Sequence, residues 1–188
     1  EKECALHGEG RSRANFANIG PAGWQQWPAL VNNVTGMRTR IVMVGRTERG
    51  FVQEGVAHYL GRVGVWSPVR EVVVPASGLR DPEAQRQEEA RGLLKALEGG
   101  GRVVALDATG QAMDSRAFAT RLGKWRDESV REVTFVIGGA YGLTDAVRAR
   151  ADLVLSLSLM TFPHQLVRLL FPEQLYRAHA TLHGSGST

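Results

Sequence analysis

Glu132-Val-Thr-Phe-Val-Ile-Gly-Gly-Ala-Tyr-Gly-Leu-Thr144 is the stretch on which the reading of the fold turns. A mostly apolar, β-branched run without steady alternation suits a strand covered on both faces, as parallel sheets require. Gly138, Gly139 and Gly142 break that run, and Thr144 is a residue type that caps the start of a helix. Strand, tight turn and a short helix running to Ala151 are expected in that order.

The same unit recurs on either side. Upstream, Arg40-Ile-Val-Met-Val-Gly45 is another apolar run stopped by glycine, and Phe51, Val52, Val56, Tyr59 and Leu60 fit one helical face. Val69-Arg-Glu-Val-Val-Val-Pro75 is β-branched and ended by proline. Asp81-Pro82 then supplies a cap and a first-turn proline, and the stripe Ala90, Leu93, Leu94, Leu97 stops at Gly99-Gly-Gly101. Arg102-Val-Val-Ala-Leu-Asp107 is the next strand; Asp114 or Ser115 caps a helix with Phe118, Leu122 and Trp125 on one side. Downstream, Leu153-Val-Leu-Ser-Leu-Ser158 is the last strand, and a last helix after Pro163 carries Leu166, Val167, Leu169, Leu170 and Leu175. Pro172 is expected to kink or split that helix, because it removes a hydrogen bond.

Five strand-then-helix units predict an α/β fold, a single domain whose mostly parallel sheet of five or six strands is flanked by helices. Ligands in such sheets bind beyond the carboxyl ends of the strands. Those ends are Gly45, Pro75, Leu106-Asp107, Gly138-Gly139 and the chain from Ser158 onward.

A chain of 188 residues, 43% hydrophobic, suits one domain with a full core. Residues 37–182 read as that domain. Residues 1–36 contain Trp24 and Trp27 but no sustained period, and Lys2, Arg11 and Arg13 cancel Glu1, Glu3 and Glu9. They are expected to be a flexible extension or a non-native start, with a folded cap anchored on the tryptophans as the alternative. His183-Gly-Ser-Gly-Ser-Thr188 reads as a flexible tail. The net charge of +4 therefore sits on residues 37–188, which permits a nucleic-acid partner without demanding one. Cys4, the single cysteine, excludes an internal disulfide, a CxxC pair and a multi-cysteine zinc site. Of the histidines, His179 and His183 come nearest to a ligand spacing, at a terminus expected to fray, so no metal is expected. No apolar run is long enough to span a membrane, and residues 1–10 lack the layout of a secretory signal. No membrane partner is expected, and the expected compartment is the cytoplasm.

Gly138-Gly-Ala-Tyr-Gly142 is neither GxGxxG nor GxxxxGK[ST], and no lysine follows to hold phosphates, so nicotinamide and ATP readings lose their main support. On spacing alone, close ligand contact and a tight turn needing positive φ are both open. Leu155-Ser-Leu-Ser-Leu-Met-Thr-Phe-Pro-His164 runs from a strand through an apolar loop into a helix. Backbone N–H and C=O groups in so greasy a slot suit an adenine ring, and core filling is the plainer alternative. His164 and Arg168 lie four apart on the last helix and share a face. A helix start disfavours the charged imidazole, which leaves His164 as a neutral base or donor. Arg168 could grip a phosphate or carboxylate with two prongs, or pair with an acid such as Glu173. Tyr176 and Arg177 continue the helix, to serve RNA or to pack at an interface. Ser156 and Ser158 lie near His164, but without a GxSxG elbow a Ser/His/Asp hydrolase is unsupported.

Ile137-Gly-Gly-Ala-Tyr-Gly-Leu143, Leu155-Ser-Leu-Ser158, Thr161-Phe-Pro-His164, Leu166-Val-Arg168 and Glu173-Gln-Leu-Tyr-Arg-Ala178, in that order, resemble the ribosomal RNA large-subunit methyltransferase H family, of the SPOUT class. The resemblance runs from about Met37 to about Thr181. It implies S-adenosylmethionine-dependent methylation of N3 of a pseudouridine in 23S rRNA within the ribosome, a homodimer, and a trefoil knot near the carboxyl end. It further implies that Leu106, Gly138, Gly139, Leu157, Ser158, Leu159, Met160, Thr161, Phe162 and Pro163 hold the cofactor. His164, Arg168, Tyr176 and Arg177 would then lie toward the methyl-transfer site and the partner subunit. The rival expectation is a ribosome- or RNA-binding protein of the same fold whose different tail impairs catalysis.

Overall fold

A computed structural model of the chain describes residues 36–184. The expectations for residues 1–35 and for 185–188 lie outside the described residues. Five strands, β1 (Arg38–Val44), β2 (Val69–Val74), β3 (Arg102–Ala112), β4 (Glu132–Ile137) and β5 (Leu153–Ser156), form one sheet in the order β2-β1-β4-β3-β5. Every neighbouring pair is parallel. All carboxyl ends therefore lie along one edge.

Alternation along each strand builds a core on both faces. Ile41, Met43, Val104, Phe135 and Ile137 point to one side, where α1 (Phe51–Val63), α3 (Ser115–Asp127) and α5 (His164–Leu182) contribute Val56, Leu122 and Phe171. Val42, Val44, Val103, Ala105 and Val136 point to the other, against Leu93 of α2 (Pro82–Ala96) and Val147 of α4 (Asp145–Arg150). This two-sided burial is why the central strands read as continuous apolar runs.

Helix starts are set by local chemistry. The Asp81 carboxylate accepts from Ala84 N at 2.7 Å with Pro82 in the first turn, Asp114 accepts from Ala117 N at 2.7 Å, and the Thr144 hydroxyl accepts from Val147 N at 3.4 Å. The choice between Asp114 and Ser115 thus falls to Asp114.

Three expectations are corrected. Phe51 does not join the buried face of α1; it is 69% exposed, while Val52, Val56, Leu60 and Val63 are buried. The third strand runs past Asp107 to Ala112, but its register against β5 shifts, so that Leu155 pairs with both Leu106 and Gln111. Pro172 does not split the last helix. It lies buried inside a continuous α5, where packing of Phe171 and Leu175 outweighs one absent donor.

Candidate functional site

A cleft of about 510 Å³ opens at the carboxyl ends of β3, β4 and β5 and against the first turns of α5. Leu106, Gly138, Gly139, Leu157, Ser158, Met160, Thr161, Phe162, Pro163 and His164 line it, as does Val167. The strand ends, the glycine turn and the apolar loop are thus brought together. Leu159 is the one expected cofactor residue outside the lining, and it is 96% exposed.

The glycines serve separate purposes. A Cβ at Gly138 would lie 2.8 Å from the Gly142 carbonyl carbon, and one at Gly139 would lie 2.5 Å from Oε2 of Glu89. Gly142 itself has φ +75°, in the left-handed region that favours glycine, and closes the turn through a bridge to Gly139. The tight turn is therefore present at Gly142, and a Cβ at Gly138 or Gly139 is excluded by the protein's own atoms.

The apolar loop is held by its serines. Ser156 Oγ donates to the Ser158 carbonyl at 2.7 Å, and Ser158 Oγ accepts from Met160 N at 3.0 Å. Asp107, at the end of the regular part of β3, accepts from Thr109 N and Oγ1 through Oδ1, and from Arg148 Nη1 through Oδ2 at 2.9 Å. Burial pushes against the Asp107 charge, but these hydrogen bonds prevail and hold its pKa below the usual carboxylate range. Arg148 also donates to the Leu143 carbonyl at 2.7 Å, so one guanidinium ties β3, the end of the glycine turn and α4 together. Asp107, Ile137, Ala140, Gly142, Leu155 and Ser156 also line the cleft and were not among the expected site residues. Their position at strand ends or in the glycine turn was the available signal.

His164 is half-buried at the rim. Burial first, and the Arg168 cation second, lower its pKa below the ordinary value, against the upward pull of Glu48 and Glu89. Its imidazole is neutral at pH 7. Next to it Gln165 accepts from Glu48 N at 3.1 Å and donates to the Arg46 carbonyl at 3.3 Å, which fastens the start of α5 to the segment after β1.

Arg168 is only 1% exposed. Its Nη1 donates to the Gly45 carbonyl at 2.9 Å and its Nη2 to the Val44 carbonyl. The guanidinium thus completes the end of β1 and neither lines the cleft nor pairs with Glu173. Arg177 takes Glu173 instead, at 2.7 Å. Tyr176 packs with Tyr59 and Trp66, and the Arg62 guanidinium sits 3.7 Å from its ring centroid. At about 1.5 Å rise per residue, Tyr176 and Arg177 lie roughly 20 Å along α5 from His164. They are outside this chain's cleft lining.

No lysine and no multi-acid cage line the cleft, so its donors suit a ligand held by backbone groups and apolar contact. Residues 37–186 match the model of the family described as Predicted SPOUT methyltransferase. The chain is 40% identical over 148 residues to the ribosomal RNA large subunit methyltransferase H of Geobacter metallireducens, covering 79% of this chain and 96% of the relative. It is 44% identical over 154 residues to the protein of that name from Rhizobium meliloti, with the same shares. A crystal structure of a probable methyltransferase from Bordetella pertussis Tohama I superposes with a TM-score of 0.52 at 18% identity, over 76% of this chain and 94% of that one, a likeness of fold. The chain belongs to the SPOUT methyltransferases, and within them to the ribosomal RNA large subunit methyltransferase H family.

Proposed function

We propose that the protein transfers the methyl group of S-adenosylmethionine to N3 of a pseudouridine in 23S rRNA of the large ribosomal subunit. The observation that carries this reading is the cleft itself, lined by all but one of the residues expected to hold the cofactor, with His164 at the rim. Family membership supports the rRNA substrate, and the glycine wall and apolar loop fit an adenosyl group and its chain. When bound, the cofactor supplies a sulfonium-activated methyl group, so positioning in line does much of the catalysis.

The remaining work falls to this chain. The backbone groups of the loop from Leu157 to Pro163 hold the adenine edge, and Leu106 and the loop's apolar side chains cover its faces. Gly138 and Gly139 let the backbone approach closely. The neutral imidazole of His164 accepts the N3 proton, directly or through a water, or holds the uracil edge. Arg168 acts as a positioning residue, setting His164 over the cleft through the Val44 and Gly45 carbonyls. Tyr176 and Arg177, outside this cleft, serve RNA and the site of a second copy in a homodimer. The trefoil knot of the class, a cytoplasmic location and a domain of residues 37–182 belong to the same reading.

Methyl transfer from labelled S-adenosylmethionine to 70S ribosomes lacking the modification tests it, with the product nucleoside identified by mass spectrometry. Label on pseudouridine N3 is the expected result. Cofactor binding without transfer to RNA would replace this reading with that of a ribosome-binding protein of the same fold.

A further inference from the structure

Glu89 is a buried acid with no part in the proposed methyl transfer. It stands on α2, is 3% exposed, and accepts from Ser77 N and from Gln85 Nε2 through Oε1, each at 3.1 Å. Its other oxygen, Oε2, is buried and has no hydrogen-bond partner. That oxygen lies against Gly139, in the space a side chain at 139 would need, 2.5 Å from where its Cβ would stand. Gly139 is wall of the cleft.

A buried carboxylate oxygen left unpaired is costly, and evolved cores rarely carry one without a use. Asp107, the acid in the lining, is already engaged by Thr109 and Arg148. Glu89 therefore sets a carboxyl group with one unpaired oxygen directly against Gly139 of the cleft wall, where no side chain stands between them. The field reaches across: Glu89 is among the groups that pull the His164 pKa upward. In a cleft walled largely by apolar groups, a carboxylate is screened less than at an open surface.

We infer that Glu89 makes the cleft selective for the charge of its ligand, so that the cationic sulfonium form of the cofactor is bound in preference to the neutral thioether left after methyl transfer. This rests on the reading of the cleft as a S-adenosylmethionine site. It gives the chain a means of releasing product: once the methyl group has gone, the attraction that held the ligand has gone with it.

Calorimetric titration of the wild-type protein, Glu89→Gln and Glu89→Asp with S-adenosylmethionine and with S-adenosylhomocysteine tests the inference. Gln keeps the shape and an acceptor for Ser77 and Gln85 but removes the charge. Glu89→Gln is expected to lose tenfold or more in affinity for S-adenosylmethionine while its affinity for S-adenosylhomocysteine changes less than twofold. Glu89→Asp is expected to keep the preference. On the wild-type protein alone, sinefungin, which carries an amine in place of the sulfonium, is expected to bind more tightly than S-adenosylhomocysteine. Equal losses for both ligands in Glu89→Gln, or sinefungin no tighter than the thioether, would overturn the charge selectivity and leave the cofactor site standing. Wild-type protein that binds none of the three would overturn the site and the inference together.

Discussion

Nη1 of Arg168 reaches the carbonyl of Gly45 at 2.9 Å, joining residues 123 apart in the chain. The neighbouring Nη2 takes the Val44 carbonyl, so two acceptors at the open end of β1 are closed by one side chain from α5. Parallel strands leave such acceptors at their carboxyl ends, and burial makes them expensive to abandon. The first turns of α5 are thereby held where His164 can face the cleft. A planar fork spans two carbonyls in a way a single ammonium does not.

Arg168→Lys is therefore expected to destabilise the fold by about 2 kcal/mol, the cost of leaving one buried carbonyl without a donor. Denaturant midpoints measure this directly. Cofactor affinity of the folded fraction should change less than threefold, and kcat should fall more than KM rises, as His164 loses its support. An unchanged midpoint with lost affinity would return Arg168 to the ligand.

Gly138→Ala tests the glycine turn. The obstruction is the Gly142 backbone, at 2.8 Å from its carbonyl carbon, and backbone cannot step aside as a flexible side chain can. The bridge between Gly139 and Gly142 should open and the wall of the cleft shift. Cofactor affinity is expected to fall at least tenfold, roughly 1.4 kcal/mol, with the circular dichroism of the fold retained. Calorimetry showing wild-type affinity would remove the turn from the site.

Gly139→Val sets a branched side chain against Glu89 and into the same wall. Loss of S-adenosylmethionine binding by a folded protein is expected. Unchanged affinity would show that the ligand stays clear of residue 139.

The sheet was legible because each central strand is buried on both faces, so Ile41 to Val44 and Phe135 to Ile137 carry period-free apolar runs. The cleft was legible for a related reason: glycines and an apolar loop at strand ends are local features. The environment of Arg168 was not. Its partners are backbone carbonyls far away in sequence, which no side-chain pattern announces, and Glu173, five residues on, was a plausible rival partner. Glu89 was hidden likewise, since an acid in a helix rich in charges reads as a solvated face until the fold turns it inward. Pro172 misled because its local cost is certain while the packing that offsets it is tertiary.

His179 gives a pH dependence with a definite sign. Burial first, then the nearby His183 and the Arg126 guanidinium, push its pKa down to about 4 from 6.5. Trp66 stacks on it, and neither ring nitrogen has a partner. The unfolded chain takes up the proton at higher pH than the folded one, so this contribution is intact above about pH 6.5 and is lost as pH falls toward 4. A loss of up to about 3 kcal/mol is expected over that window. Denaturant unfolding at pH 7.5, 6, 5 and 4.5 measures it, with His179→Phe as the control that should flatten the slope. Equal slopes in the two proteins would assign the acid sensitivity elsewhere.

Exposed apolar side chains flank the cleft. Leu159 and Met160 are 96% and 71% exposed, and Phe162 and Leu170, on the same loop and on α5, are 37% exposed. Apolar area left in water forgoes about 25 cal/mol per Å², which singly means little but in a run beside a binding site marks a surface that gains by being covered. A second copy is the proposed cover, and it is also what would bring Tyr176 and Arg177, outside this chain's own cleft, to a site. The protein is therefore expected to show the mass of a dimer by light scattering at micromolar concentration. Leu170→Glu should shift it toward monomer and lower methyl transfer, while cofactor affinity falls less than the transfer rate does. A monomer mass for the wild-type protein would refute the dimer. It would also leave Tyr176 and Arg177 with only the packing and ion-pair roles seen in the single chain.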